Sequence, residues 1–173
     1  NTIYNTMAAA MVAAAADPLA GASDAAPAPT QNVALLTSPL FHVSGCHSTL
    51  VVGLLAGLRL VMTEGKFEPA KALQLIAEEG VTIWATVPTM VWRVCEFPDR
   101  HDFDTSSVTS VAFGGSPSAD ELQRKVHGTF PNVRSTSNAY GLTESGGFGT
   151  MCRADDDAAE GLGPLTLRPA RPR

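Results

Sequence analysis

Apolar residues in this chain fall into short runs of strand length and longer runs of helical spacing, and the two kinds take turns. Runs at 33–37, 58–62, 81–87 and 110–113 are rich in Val, Ile, Leu, Phe and Thr and end near Gly, Pro or charged residues, and with the more polar run at 133–138 they predict five strands. Between them, residues 68–79 carry Ala70, Leu73, Ile76 and Ala77 at helical spacing, with Gly80 placed as a C-cap. Pro88 opens a helix to about residue 96, as proline can in a first turn. Ser118 and Glu121 have the spacing of a capping box before a helix to about residue 126. The turn at 39–45 leads into a helix to about residue 55, and the Ala-, Met- and Val-filled run 1–17 predicts a buried helix followed by a loop over 18–30.

Strand and helix alternating in this way predict an α/β fold, a mostly parallel sheet flanked by helices. Ligands of such sheets bind beyond the carboxyl ends of the strands. The Phe41-His42 turn, the Gly114-Gly115 turn and the loop at Tyr140 each follow a strand directly, so all three are expected along one rim.

Composition narrows the function. A net charge of −5 and a pI near 5.3, without a basic cluster before the last residues, argue against nucleic acid as a partner. Cys46, Cys95 and Cys152 are odd in number and widely spaced, which suits free thiols in a reducing, cytoplasmic setting rather than a zinc site or a disulfide framework. The apolar run 7–16 is too short to cross a bilayer, so no transmembrane segment is expected.

The candidate chemistry centres on residues 137–145, Ser-Asn-Ala-Tyr-Gly-Leu-Thr-Glu-Ser. Tyr140 offers a ring to a planar base, and Gly141 allows close backbone approach. The Thr143 hydroxyl can donate to a phosphate oxygen, and the Glu144 carboxylate can hold a hard cation such as Mg²⁺. Gly114-Gly115-Ser116-Pro117 makes a tight turn that can present backbone groups to a flat ligand, without the spacing of a dinucleotide fingerprint or of a phosphate loop. His42 lies between Pro39 and Gly45, and His47, five residues on, does not share a helical face with it, so a metal pair is not expected. Neither Ser116 nor Ser145 sits in a G-x-S-x-G elbow.

Taken together, Pro39-Leu-Phe-His-Val-Ser-Gly45, Val87-Pro88-Thr89, Gly114-Gly-Ser-Pro117 and Asn138-Ala-Tyr-Gly-Leu-Thr-Glu144 resemble, in order and rough spacing, the adenylate-forming superfamily, and within it a bacterial fatty-acyl-CoA synthetase. The resemblance covers residues 1 to about 155, as the central part of the acyl-activating N-terminal domain, with 156–173 as a tail that does not match. It implies ATP, AMP, Mg²⁺ and CoA as cofactors and substrates. Gly114, Gly115 and Ser116 would border the adenine, Tyr140 would stack on it beside Gly141, Thr143 would contact the α-phosphate, and Glu144 would bind Mg²⁺. His42 would stand near the reacting carboxylate and the acyl pocket. Phe41-His42 replaces the Phe-Asp of peptide-synthetase domains, which implies a fatty or other carboxylic acid without an α-amine.

The family's lysine-bearing phosphate loop is expected before Asn1, and its ribose-binding Asp, hinge and small C-terminal domain after the tail. Activity is therefore expected of a longer parent. The alternative is a non-catalytic relative that binds nucleotide, acyl ligand or a protein partner. Sheet faces without their neighbours are expected to favour self-association.

Overall fold

A computed structural model describes residues 31–147 and 149–153. The readings for 1–30 and for the tail beyond residue 153 lie outside the described residues. The described chain is built on a six-stranded sheet of order β2-β1-β3-β4-β5-β6. Strands β1 (Val33–Leu36), β2 (Arg59–Met62), β3 (Ile83–Thr86), β4 (Ser110–Gly114) and β5 (Ser135–Tyr140) are parallel. The sixth, β6 (Thr150–Arg153), is antiparallel to β5, with Tyr140 opposite Thr150. Every residue of β1 is buried, as befits a strand covered on both sides.

The chain leaves β1 for β2 on one side and then returns past β1 to β3 on the other. The direction of winding therefore reverses between β1 and β3, and sheets wound this way take ligands beyond the carboxyl ends of their strands.

Among the described residues four longer helical segments connect the strands, besides the short 3₁₀ turns Arg100–Asp102 and Thr143–Ser145. The segment α1 runs as a π-helix over Ser44–Val51 and as an α-helix over Val52–Leu55. Next come α2 (Pro69–Glu79), α3 (Pro88–Cys95) and α4 (Asp120–Thr129). Proline opens both α2 and α3, where its missing N–H has no helical partner to lose. Gly80, left-handed at φ 60°, closes α2, and the Val81 N–H bonds back to the Ile76 carbonyl at 3.2 Å.

One face of the sheet carries the core. Leu35, Trp84, Val111 and Phe113 meet Leu73 and Ile76 of α2, Val91 and Val94 of α3, and Leu122 and Val126 of α4. Trp84 lies at the centre, fully buried, stacked on Phe67 and edge-on to Phe130, both at 6.3 Å.

The structure departs from the sequence reading in local places. Ser118 does not cap α4: Ala119 occupies the cap position without a side-chain bond, and the Ser118 hydroxyl donates to Asn138 Oδ1 at 2.5 Å. Asp120 and Glu121 in the first turn complement the helix dipole instead. The helix also runs on through Gly128 to Thr129. Tyr140 ends β5 rather than standing in the loop, because pairing with β6 extends the strand.

The π-winding of α1 has no counterpart in the sequence reading. The Val52 N–H reaches the His47 carbonyl, and the Thr49 hydroxyl donates to the Ser44 carbonyl at 3.0 Å. Gly45 is required there by space, since a Cβ would collide with the Pro39 carbonyl oxygen.

Candidate functional site

The strand period of two writes different side chains on the two faces of the sheet. Where Trp84 and Phe113 point into the core, their neighbours Ala85 and Ala112 point the other way, paired across the β3–β4 register. Ala139 of β5 lies opposite Gly114 of β4. This run of small residues floors a cleft at the carboxyl ends of β3, β4 and β5, and Val43, Ser44, Ser48 and Thr49 form its wall. The cleft has a volume of ≈ 140 Å³, comparable to cavities that hold a single aromatic ring.

His42, Gly114, Gly115, Tyr140 and Gly141 all line this cleft, so the three connections expected on one rim do converge. Tyr140 is 51% exposed, leaving ring surface for a ligand to cover. Gly115 takes φ +81°, a left-handed turn that carries the chain away from β4. Ser116 is exposed beside this turn, and Thr143 and Glu144 are exposed on the short 3₁₀ turn Thr143–Ser145; all three lie outside the cleft lining.

His42 is exposed at the mouth, in a turn closed by its own N–H on the Pro39 carbonyl at 3.0 Å. Its Nδ1 accepts the Ser44 backbone N–H at 3.2 Å and lies 2.8 Å from Ser44 Oγ.

Residues that the sequence reading passed over hold these parts together. Trp84 Nε1 donates to Thr37 Oγ1 at 3.2 Å, the Thr37 and Thr86 hydroxyls are 2.9 Å apart, and Thr86 Oγ1 donates to Met90 Sδ at 3.2 Å. This buried chain ties the ends of β1 and β3 to the first turn of α3. The Ser118–Asn138 bond ties the Gly115 connection to β5. Gly147, at φ +96°, lets the loop after Glu144 close on the His42 turn, since a Cβ there would meet Val43 Cγ2 at 2.6 Å. The only sequence signal for it was its place in a glycine pair after Glu144.

The cysteines stand apart from this chemistry. Among the described residues Cys46 and Cys95 are free thiols, and burial pushes the Cys95 thiol up, which makes it a poor nucleophile. No helix among the described residues is long and apolar enough to cross a membrane.

Comparison with known proteins places this geometry. The family model described as AMP-binding enzyme matches residues 2–168. The chain belongs to the AMP-binding enzyme family. It is 38% identical over 123 residues to 4-coumarate–CoA ligase CCL1 of Humulus lupulus, covering 71% of this chain and 22% of that protein. It is 39% identical over 125 residues to 4-coumarate–CoA ligase 5 of Oryza sativa subsp. japonica, again over 71% of this chain and 22% of the relative. The chain thus spans about a fifth of the length of the curated relatives it matches.

Solved structures share the fold. The inhibitor-bound N-terminal domain of FACL13 from Mycobacterium tuberculosis superposes with a TM-score of 0.67 at 24% identity, over 88% of this chain and 36% of that one. O-succinylbenzoate CoA synthetase (MenE) from Bacillus subtilis, in complex with ATP and magnesium ion, gives 0.64 at 22% identity, over 88% and 29%. The mostly parallel sheet flanked by helices is that of the N-terminal domain of adenylate-forming enzymes.

The donors of this AMP-binding chain suit one kind of metal. Among the described residues no group of three or more His, Cys, Asp and Glu could hold an ion. Glu144, an exposed carboxylate on the same short turn as Thr143, is a hard oxygen donor of the kind Mg²⁺ takes, with most of that ion's ligands coming from water and phosphate.

Proposed function

We propose that this chain contributes the nucleotide- and acyl-binding core of an AMP-forming acid–CoA ligase. The observation that carries the reading is the convergence of His42, Gly114-Gly115 and Tyr140-Gly141 on one cleft at the carboxyl ends of β3, β4 and β5. Tyr140 stacks on adenine, and the backbone at Gly114, Gly115 and Ser116 borders the base. Thr143 donates to the α-phosphate. Glu144 holds Mg²⁺, which offsets charge on the phosphate oxygens when bound.

The acid's carboxylate attacks the α-phosphorus, the bond to the bridging oxygen breaks, and pyrophosphate leaves. The CoA sulfur, having lost its proton, then attacks the acyl carbonyl, and AMP departs with the electron pair of the broken C–O bond.

The substrate is an acid without an α-amine, because His42 stands where an aspartate would hold an ammonium group. A fatty acid lying along Ala85, Ala112 and Ala139 is the first reading. A flat aryl acid is the second, favoured by the ring-sized volume of the cleft. None of the described lining residues is Lys or Arg, so this chain contacts chiefly the base and acyl group. Turnover then rests on cations supplied outside the cleft lining.

The test is a thermal-shift titration with ATP·Mg²⁺, AMP and non-hydrolysable adenylate analogues carrying a fatty-acyl or a 4-coumaroyl group. A ligand of the folded state raises its stability with the logarithm of concentration over Kd. The expected result is a shift by one acyl analogue that Tyr140→Ala or Glu144→Ala removes. A melt that no nucleotide moves overturns the reading.

A further inference from the structure

We propose that Ser44 is a positioning residue for His42, fixing its ring so that Nε2–H is the group presented to the ligand. This rests on the ligase reading above for its chemical purpose, but its geometry stands on its own. A backbone N–H can only donate, and the Ser44 N–H is directed at His42 Nδ1 at 3.2 Å, so Nδ1 is the acceptor nitrogen of the neutral ring. The Ser44 hydroxyl, 2.8 Å from the same nitrogen, donates to it as well. With Nδ1 doubly engaged, the ring proton resides on Nε2, leaving one donor free to point away from Ser44.

The surroundings explain why a second residue is needed. The main chain at His42 is held at both ends: its N–H bonds to the Pro39 carbonyl, and its carbonyl accepts from Gly45 at 3.1 Å and Cys46 at 3.0 Å. The imidazole is exposed and packs in no core, so nothing in the turn itself fixes its torsions or its tautomer. Ser44 is rigid enough to do so. It is the first residue of the π-helix, and its own carbonyl is held by the Thr49 hydroxyl. Two residues after His42, the Ser44 N–H and hydroxyl both reach one ring nitrogen.

The Nε2–H so presented suits an acid substrate. A neutral donor at the cleft mouth can orient a carboxylate oxygen and then remain bonded to the acyl carbonyl, without forming an ion pair that would hold the ground state more tightly than the transition state.

Long-range ¹H–¹⁵N NMR of the histidine-labelled full chain tests the positioning directly. His42 is expected to show a protonated Nε2 and an acceptor-type Nδ1, with the Nδ1 resonance moving in Ser44→Ala and returning in Ser44→Thr. A ring protonated at Nδ1, or an Nδ1 resonance unmoved by Ser44→Ala, overturns the proposal. Calorimetric titration of the full chain with the non-hydrolysable acyl-adenylate analogue tests the consequence. Ser44→Ala is expected to weaken binding about tenfold, the size of one lost hydrogen bond, with the affinity for AMP unchanged. It is expected to have no further effect in a His42→Ala background. Equal losses in both backgrounds overturn it. Absence of any nucleotide or adenylate binding by the unaltered chain sinks the ligase reading alone and leaves the tautomer result standing.

Discussion

The two faces of the sheet are made by the same strands and do opposite work. On one, Trp84, Val111 and Phe113 lock against α2, α3 and α4, and large side chains leave no room. On the other, Ala85, Ala112, Gly114 and Ala139 leave a floor with space above it, and α1 stands back as a wall lined by Ser44, Ser48 and Thr49. The alternation along each strand thus separates stability from binding with one-residue resolution. A substitution one position along a strand should change which property is lost.

The largest effect is expected on the packed face. Trp84→Ala removes the ring that meets Phe67 and Phe130 and the indole donor to the Thr37 hydroxyl, at a loss of about 3–5 kcal/mol in denaturant unfolding. A loss below ~1 kcal/mol would mean that this face is not the folding core.

Gly147→Ala comes next, because it combines a left-handed backbone with a Cβ driven toward Val43. About 1–3 kcal/mol is expected, together with weaker binding of the adenylate analogue, since the loop after Glu144 could no longer close on the His42 turn. Calorimetric titration of both proteins checks this; unchanged affinity would separate the loop from the site.

Ala112→Leu places bulk on the open face and is expected to leave stability within about 1 kcal/mol of the parent. Affinity for the acyl-adenylate analogue should drop at least several-fold, while AMP binding changes little. Equal losses for both ligands would contradict an acyl floor at this position.

The smallest effect belongs to the surface. Lys125 holds Glu96 at 2.5 Å and lies 5.0 Å above the Trp92 ring; its hydrogen bond lowers the Glu96 carboxyl and raises the lysine. A lowered carboxyl adds stability that is present above its unfolded value and lost as pH falls through the folded one. Acid melts of Glu96→Gln should therefore lack a small part of the parent's fall in that range. Solvent screening keeps such exposed pairs weak, and a large difference would point to other groups.

Much of this protein was legible in its chain. Four of the five parallel strands announced themselves as short apolar runs closed by Gly, Pro or a charged residue, and the more polar fifth by its place in the strand–helix alternation. Both Pro88 and Gly80 marked helix ends by properties of their own backbones. His42, Gly114, Gly115, Tyr140 and Gly141 could be named because each ends or follows a strand, and a parallel sheet sends all such positions to one end. Less legible were features that depend on a distant partner. Ser118 had the spacing of a cap, yet a stronger acceptor, Asn138, reached it from β5. Strand β6 is four residues long and became visible only through its pairing with β5.

The sequence by itself determined the elements, their α/β order and the rim on which the candidate chemistry lies, because periodicity and turn residues act locally. Tertiary structure alone decided where the winding reverses, how α1 is wound over the cleft, and how closely Gly147 approaches Val43. It also decided which nitrogen of His42 is occupied. Those are matters of distance between segments far apart in the chain, or of side-chain direction within a turn. Such distances are set only when the whole sheet is assembled.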